Sequence, residues 1–191
     1  MNSSYWTDPV IFLLDTVFSL YILAVMLRFL LQWTRADFYN PISQFIVKIT
    51  HPPLQFLRRY VPSVGKIDTS SLILALLLQI TSYVLIVAIK GVLISIPALI
   101  VLSFNDLISL LLNIFVFAVF ARAILSWFDP GSYNPASSLL HSLTEPLLAL
   151  CRNLIPDLGG IDLSPLIALV VLQLAKMMIL PPLNQLALLV Q

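Results

Sequence analysis

Residues 28–73 recur 94 positions later without a gap, so whatever the first stretch folds into, the second must fold into as well. Arg28 falls on Arg122, Trp33 on Trp127, and Tyr39-Asn40-Pro41 on Tyr133-Asn134-Pro135. Thr50, Pro52, Arg58 and Pro62 meet Thr144, Pro146, Arg152 and Pro156, and Gly65, Ile67 and Asp68 meet Gly159, Ile161 and Asp162. From Arg28 to Ile73, eighteen of the 46 aligned positions are identical, and many of the others exchange one apolar residue for another. A polar residue that occurs in both copies is therefore harder to dismiss as accident.

Each copy carries two apolar stretches. They lie near residues 10–33 and 70–90 in the first copy and near 106–127 and 164–188 in the second. Each reaches the roughly 20 residues of helix that cross a bilayer. Only 10 % of the chain is charged and 60 % is hydrophobic, against about 25 % charged residues in a soluble domain. Too little polar surface exists to face water on all sides. The expected class is an all-α membrane protein, because lipid-exposed backbone must satisfy its own hydrogen bonds. Two spans per copy is an even number, so both copies enter from one side. The four spans are expected to form two tandem parallel hairpin repeats, residues 1–97 and 98–191, about an axis along the membrane normal. Residues 92–102, apolar but interrupted by Pro97, read as a helix extension, an interfacial segment or a re-entrant turn. Pro181-Pro182 is expected to bend or end the last span. No basic residue precedes the first apolar run, so a cleavable signal peptide is not expected.

The long loops inside the repeats have their own pattern. Asn40-Pro41 and Asn134-Pro135 read as helix starts, with Asn as N-cap and Pro at the first helical position. Ile42, Phe45, Ile46 and Ile49 follow at helical spacing, as do Leu139, Leu140 and Leu143. Pro52-Pro53 and Pro146 are expected to break these helices, with a further short one after each. Such amphipathic pieces usually lie at the lipid headgroup level. The Gly-x-Ile-Asp turns lead into the next spans, where Asp68 or Ser70, and Asp162 or Ser164, can cap the helix.

Charge sets the expected orientation. The long loops hold Arg35, Lys48, Arg58, Arg59, Lys66 and Arg152, whereas the termini and middle connection offer only Lys90. The positive-inside rule puts the loops in the cytoplasm and both termini in the periplasm. Residues 34–69 carry five basic and two acidic side chains, net +3; residues 128–163 carry one and four, net −3. On one side of the membrane these loops either attract each other or remain separately solvated, the basic one on anionic lipid.

Inside the spans, Arg28 and Arg122 sit five residues before the interface anchors Trp33 and Trp127, about 7.5 Å deep. They can snorkel to the headgroups. Alternatively they clamp the loop by pairing with the aspartate that starts the following span, Arg28 with Asp68 and Arg122 with Asp162. Gln79 and Gln173 coincide under the same shift and read as hydrogen-bonding across helices, or as the lining of a permeation path. Asp15, Asn113 and Lys176 lack counterparts, and Asp15 and Lys176 are candidates to pair with each other.

Enzyme signatures are absent. His51 and His141 do not coincide, and neither stands at metal-ligand spacing. The single cysteine, Cys151, leaves no internal disulfide. No nucleophile elbow or phosphate-binding glycine loop occurs. No cofactor and no nucleic-acid contact are expected.

These motifs resemble the YggT family of membrane proteins. The resemblance rests on Arg28 to Trp33, Asp37 to Pro41, Pro52, Arg58-Arg59, Pro62, Gly65-x-Ile-Asp68 and their counterparts from Arg122 to Asp162. It implies a bacterial inner-membrane protein linked to tolerance of osmotic and ionic stress. Related groups, the YlmG-type proteins and their plastid relatives, imply cell division, nucleoid organisation and assembly of a haem-bearing cytochrome complex. The family brings no catalytic residues. The expected function is non-enzymatic support of membrane homeostasis through the bilayer and a protein partner or homo-oligomer. Tyr39, Asn40, Pro41, Arg58, Gly65 and Asp68, with their counterparts, shape the contact loops. The alternatives are a small oligomeric channel or carrier, and an assembly factor for a membrane haem protein or the division machinery.

Overall fold

The computed structural model describes residues 4–63, 67–128, 134–153 and 162–190. The described residues form helices α1 (Ser4–Trp33), α2 (Pro41–Leu57), α3 (Thr69–Lys90), α4 (Ile96–Phe128), α5 (Pro135–Arg152) and α6 (Ser164–Leu189). Four of them contain segments long and apolar enough to cross a membrane: Thr7–Trp33, Thr69–Lys90, Ile96–Ser126 and Ser164–Leu189. α1 packs on α3 with α2 against both; α4 packs on α6 with α5 against both; and α3 lies beside α4.

The core follows the logic of a bundle in lipid. Buried positions are often small: Ser70, Ser71, Ala75, Ser103, Ala118, Ser164 and Ala168. Small residues let backbones approach, and packing between helices then replaces the missing hydrophobic drive. Large apolar side chains such as Phe12, Leu13, Val17, Phe117, Val170 and Met178 point outward instead. Around Ile22, Val25, Met26 and Leu30, a larger cluster gathers α1, α3, α4 and both short helices.

Of the three readings of the segment around Pro97 the helix extension holds, and the helix stops expected at the other prolines are corrected. Residues 96–102 extend α4, because Pro97 stands in its first turn, where a missing N–H leaves no bond unmade. Ser95 accepts a 3.2 Å hydrogen bond from Ala98 N–H at this start. α3 ends at Gly91, whose φ of 65° is left-handed. α6 does not end at Pro181-Pro182 but continues to Leu189, since proline's fixed φ is compatible with a helix.

Neither does Pro52-Pro53 break α2, nor Pro146 α5. A proline at position 53 strips Ile49 of its helical donor. Tyr21 of α1 supplies a replacement, its hydroxyl donating to the Ile49 carbonyl at 3.1 Å. In the other half Leu147 stands where Pro53 does, so that N–H exists, and Phe115 stands where Tyr21 does. The hydroxyl occurs only in the half that needs it. Tyr21→Phe is expected to cost about 1–2 kcal/mol by leaving that carbonyl without its donor. Thermal unfolding in mild detergent checks this; an unchanged midpoint would mean the bond contributes nothing.

Both short helices start as the sequence predicts. Asn40 accepts from Ile42 N–H at 2.9 Å and Asn134 from Ser137 N–H at 2.8 Å. The two helices also meet at one end of the bundle. Asn40 Nδ2 donates to the Pro135 carbonyl at 2.7 Å, and Leu31, Ala36, Ile46 and Leu139 form a shared apolar cluster. The described ion pairs all stay within their own half. Among the described residues a neutral bond and apolar packing, with no ion pair, join the two loops.

Candidate functional site

At this end each half builds the same tether from a span to its short helix. Arg28 reaches sideways from α1, and its Nη1 donates to Thr50 Oγ1 at 2.9 Å and to the Val47 carbonyl at 3.1 Å. Thr50 in turn donates to the Ile46 carbonyl at 2.6 Å. In the second half Arg122 Nη1 donates to Thr144 Oγ1 at 2.8 Å, and Thr144 to the Leu140 carbonyl at 2.7 Å. Both threonines are fully buried. Their identity under the 94-residue shift was the signal that they matter, although the sequence gives them no partner.

The expected clamps therefore have different arginines. Asp68 pairs with Arg58, the residue that follows α2, and accepts from Ser71 Oγ at 2.8 Å. Asp162 pairs with Arg152 at 3.3 Å and accepts from Ser164 N–H at 2.9 Å, so it also satisfies a donor at the start of α6. The reason is reach. Arg28 and Arg122 find a threonine and a helix alongside them, whereas Arg58 and Arg152 at the far ends of α2 and α5 face the next span.

The halves differ in one respect. Arg122 forms an ion pair with Glu145 at 2.9 Å, and Arg152 bonds the same carboxylate at 2.7 Å. Burial would raise the Glu145 pKa, but the hydrogen bonds and charges of Arg122 and Arg152 outweigh it and lower the pKa. Asp162 is likewise lowered, against burial, by Ser164 and Arg152. Arg152 is raised, against burial, by Glu145 and Asp162. The position equivalent to Glu145 is His51, exposed on α2. Arg28 thus has no carboxylate within ion-pair distance among the described residues.

The other site residues scatter. Trp33 is half-exposed at the end of α1, and Tyr39 and Pro41 are exposed at the start of the loop. Gly65, Tyr133 and Gly159 lie outside the described residues, as does the Trp127 side chain at the end of α4. Gln79 does bond across helices, donating to Asp106 of α4 at 3.2 Å, and Tyr83 donates to the same carboxylate at 2.5 Å. Asp106 escaped the sequence reading because it sits where the third span was expected to begin. Gln173 is exposed on α6. Lys176 bonds Asn113 at 2.6 Å; it does not pair with Asp15, because α1 and α6 do not touch. Among the described residues no His, Cys, Asp and Glu side chains gather as a metal site.

A family model described as CCB3/YggT matches residues 7–89 and again residues 101–183. The chain belongs to the CCB3/YggT family. It is 47 % identical over 172 residues to an uncharacterized protein of Pseudomonas aeruginosa, covering 89 % of this chain and 87 % of that one. To the YggT protein of Escherichia coli (strain K12) it is 37 % identical over 166 residues, 87 % of this chain and 86 % of the relative. A shorter stretch of 71 residues is 42 % identical to YlmG homolog protein 2, chloroplastic, of Arabidopsis thaliana, covering 36 % and 26 % of the two chains. No solved structure matches. As a CCB3/YggT protein with four apolar spans, the chain is a multi-pass membrane protein.

Proposed function

We propose that this CCB3/YggT protein is a non-enzymatic scaffold of the bacterial inner membrane, made of two parallel hairpin repeats. α2 and α5 lie at the cytoplasmic headgroup level, both termini are periplasmic, and the protein supports membrane and ionic homeostasis under osmotic stress through protein or lipid partners. One observation carries this reading: the arginine–threonine tether occurs in both halves at the end where α2 and α5 meet. A paired surface is what a scaffold needs. The two family matches, 94 residues apart, support the duplication. On α2, helical spacing groups exposed Gln44, Lys48, His51 and Gln55 in one sector, with exposed Arg59 in the turn just beyond, and exposed Ile42, Phe45 and Phe56 in another. One sector suits water or a partner and the other suits lipid.

Two measurements test the proposal. Accessibility tags after Tyr60 and after Leu154 are expected to report the same, cytoplasmic face; opposite faces would end it. Crosslinking in native membranes is expected to trap partners through the exposed sector of α2, and a Lys48→Glu, Arg59→Glu variant is expected to lose them. The competing reading is a small channel or carrier, favoured by the polar groups within the apolar layer, Asp106 with Gln79 and Tyr83, and Lys176 with Asn113. Ion flux through purified protein in liposomes that Asp106→Asn abolishes would favour that class over the scaffold.

A further inference from the structure

A cavity of about 500 Å³ opens between α1, α2 and the chain that follows α2, lined by Arg28, Gln32, Phe38, Val47, Arg58 and Ser63. We propose that it binds a phosphate-type oxyanion, the phosphate of an anionic lipid headgroup or free inorganic phosphate, with Arg28 as the principal ligand. The inference is independent of the membrane orientation argued above.

The charge balance carries it. Arg28 is only 6 % exposed, yet no carboxylate lies within ion-pair distance of it among the described residues. An arginine is always charged, and a buried charge without a partner is costly. The nearby carboxylate, Asp68, engages Arg58 and Ser71 through Oδ2, while its Oδ1 makes no hydrogen bond and lies beyond ion-pair distance of Arg28. Two guanidinium groups and one carboxylate leave the cavity one positive charge in excess. Among the described residues the Arg28 guanidinium makes its hydrogen bonds through Nη1 alone. The other N–H donors of this guanidinium, which lines the cavity, have no partner among the described residues and are available to a ligand. A guanidinium with a free edge suits a bidentate contact to a phosphate.

The second half is the internal control. At the equivalent place Arg122 meets a built-in anion, Glu145, whose position in the first half is taken by His51. What one half encodes as a side chain, the other recruits. Half-exposed Phe38 lines the cavity, and exposed Tyr39 and Tyr60 stand close to it in sequence, apolar company suited to a headgroup's glycerol and first carbons.

The test uses the full chain purified in a maltoside detergent, which contains no phosphate. Thermal midpoint is followed on adding short-chain phosphatidylglycerol, the diacylglycerol of the same chains, or inorganic phosphate against chloride at equal ionic strength. Stabilisation by phosphatidylglycerol but not by diacylglycerol identifies the lipid source, and stabilisation by inorganic phosphate identifies the free anion. His51→Glu, which installs the carboxylate of the other half on an exposed position, is expected to weaken the response about tenfold in ligand concentration. His51→Gln is expected to leave it unchanged. Arg28→Lys is expected to weaken it as well, and because that side chain also tethers α2, the His51 pair decides. An equal response to diacylglycerol, no response to any phosphate, or an undiminished response in His51→Glu would each overturn the proposal.

Discussion

Truncating Leu54 to alanine is expected to cost the protein about 3 kcal/mol, and Leu148→Ala about as much. These positions coincide under the internal repeat, and their side chains are 0 % and 1 % exposed. Leu54 inserts from α2 into the cluster around Val25 and Met26, and Leu148 inserts from α5 against Val119 and Ala168. Each deletion removes apolar contact and leaves a cavity that a tethered helix cannot close. The Arg28 and Arg122 bonds hold α2 and α5 in place and so prevent them from settling into the gap. Leu150→Ala, two residues from Leu148 but exposed on the outer surface of α5, is expected to change stability by a few tenths of a kcal/mol. Denaturant or thermal unfolding in detergent compares the variants. Equal losses at Leu148 and Leu150 would mean that the short helices are not packed on the bundle.

Asp68→Asn is expected to cost about 1.5–3 kcal/mol, the range for hydrogen bonds to a charged group. Asp68 is 1 % exposed, and one of its oxygens, Oδ1, is buried without a hydrogen bond. Its stability therefore rests on the charge it shares with Arg58 and on the Ser71 hydroxyl. Arg58 is 40 % exposed, so water screens part of the pair and the lower half of the range applies. The equivalent Asp162→Asn is expected to cost less than about 1 kcal/mol, because Asp162 is 51 % exposed and Arg152 keeps Glu145 as a second partner. The inequality between two positions that are identical in sequence is the sharp part of the prediction. Similar losses at both would show that burial does not set the strength of these clamps.

The spans were legible because hydropathy reports directly on whether a segment can leave water, and the N-caps because Asn-Pro acts within a single turn. Pro52-Pro53 was misread for the opposite reason. A proline's damage to a helix is local, but its remedy came from Tyr21, 28 positions away on another helix. Extending the 94-residue shift pairs Tyr21 with Phe115 and Pro53 with Leu147, but only the structure connects the two exchanges. The clamps were half legible: both aspartates pair with an arginine, but the choice among four arginines depends on where each side chain ends up.

What the amino-acid order settled alone was the number of long apolar segments, the 94-residue sequence repeat, and the polar residues that both copies retain. These depend on composition and on distances of one or two turns along the chain. The tertiary structure decided which arginine meets which acid, that Asn40 joins the loops through a neutral bond, and that Glu145 pairs with Arg122 while Arg28 has no such neighbour among the described residues. Those outcomes depend on separations of a few ångströms between different helices, and a few ångströms decide whether two buried charges attract or one is left alone.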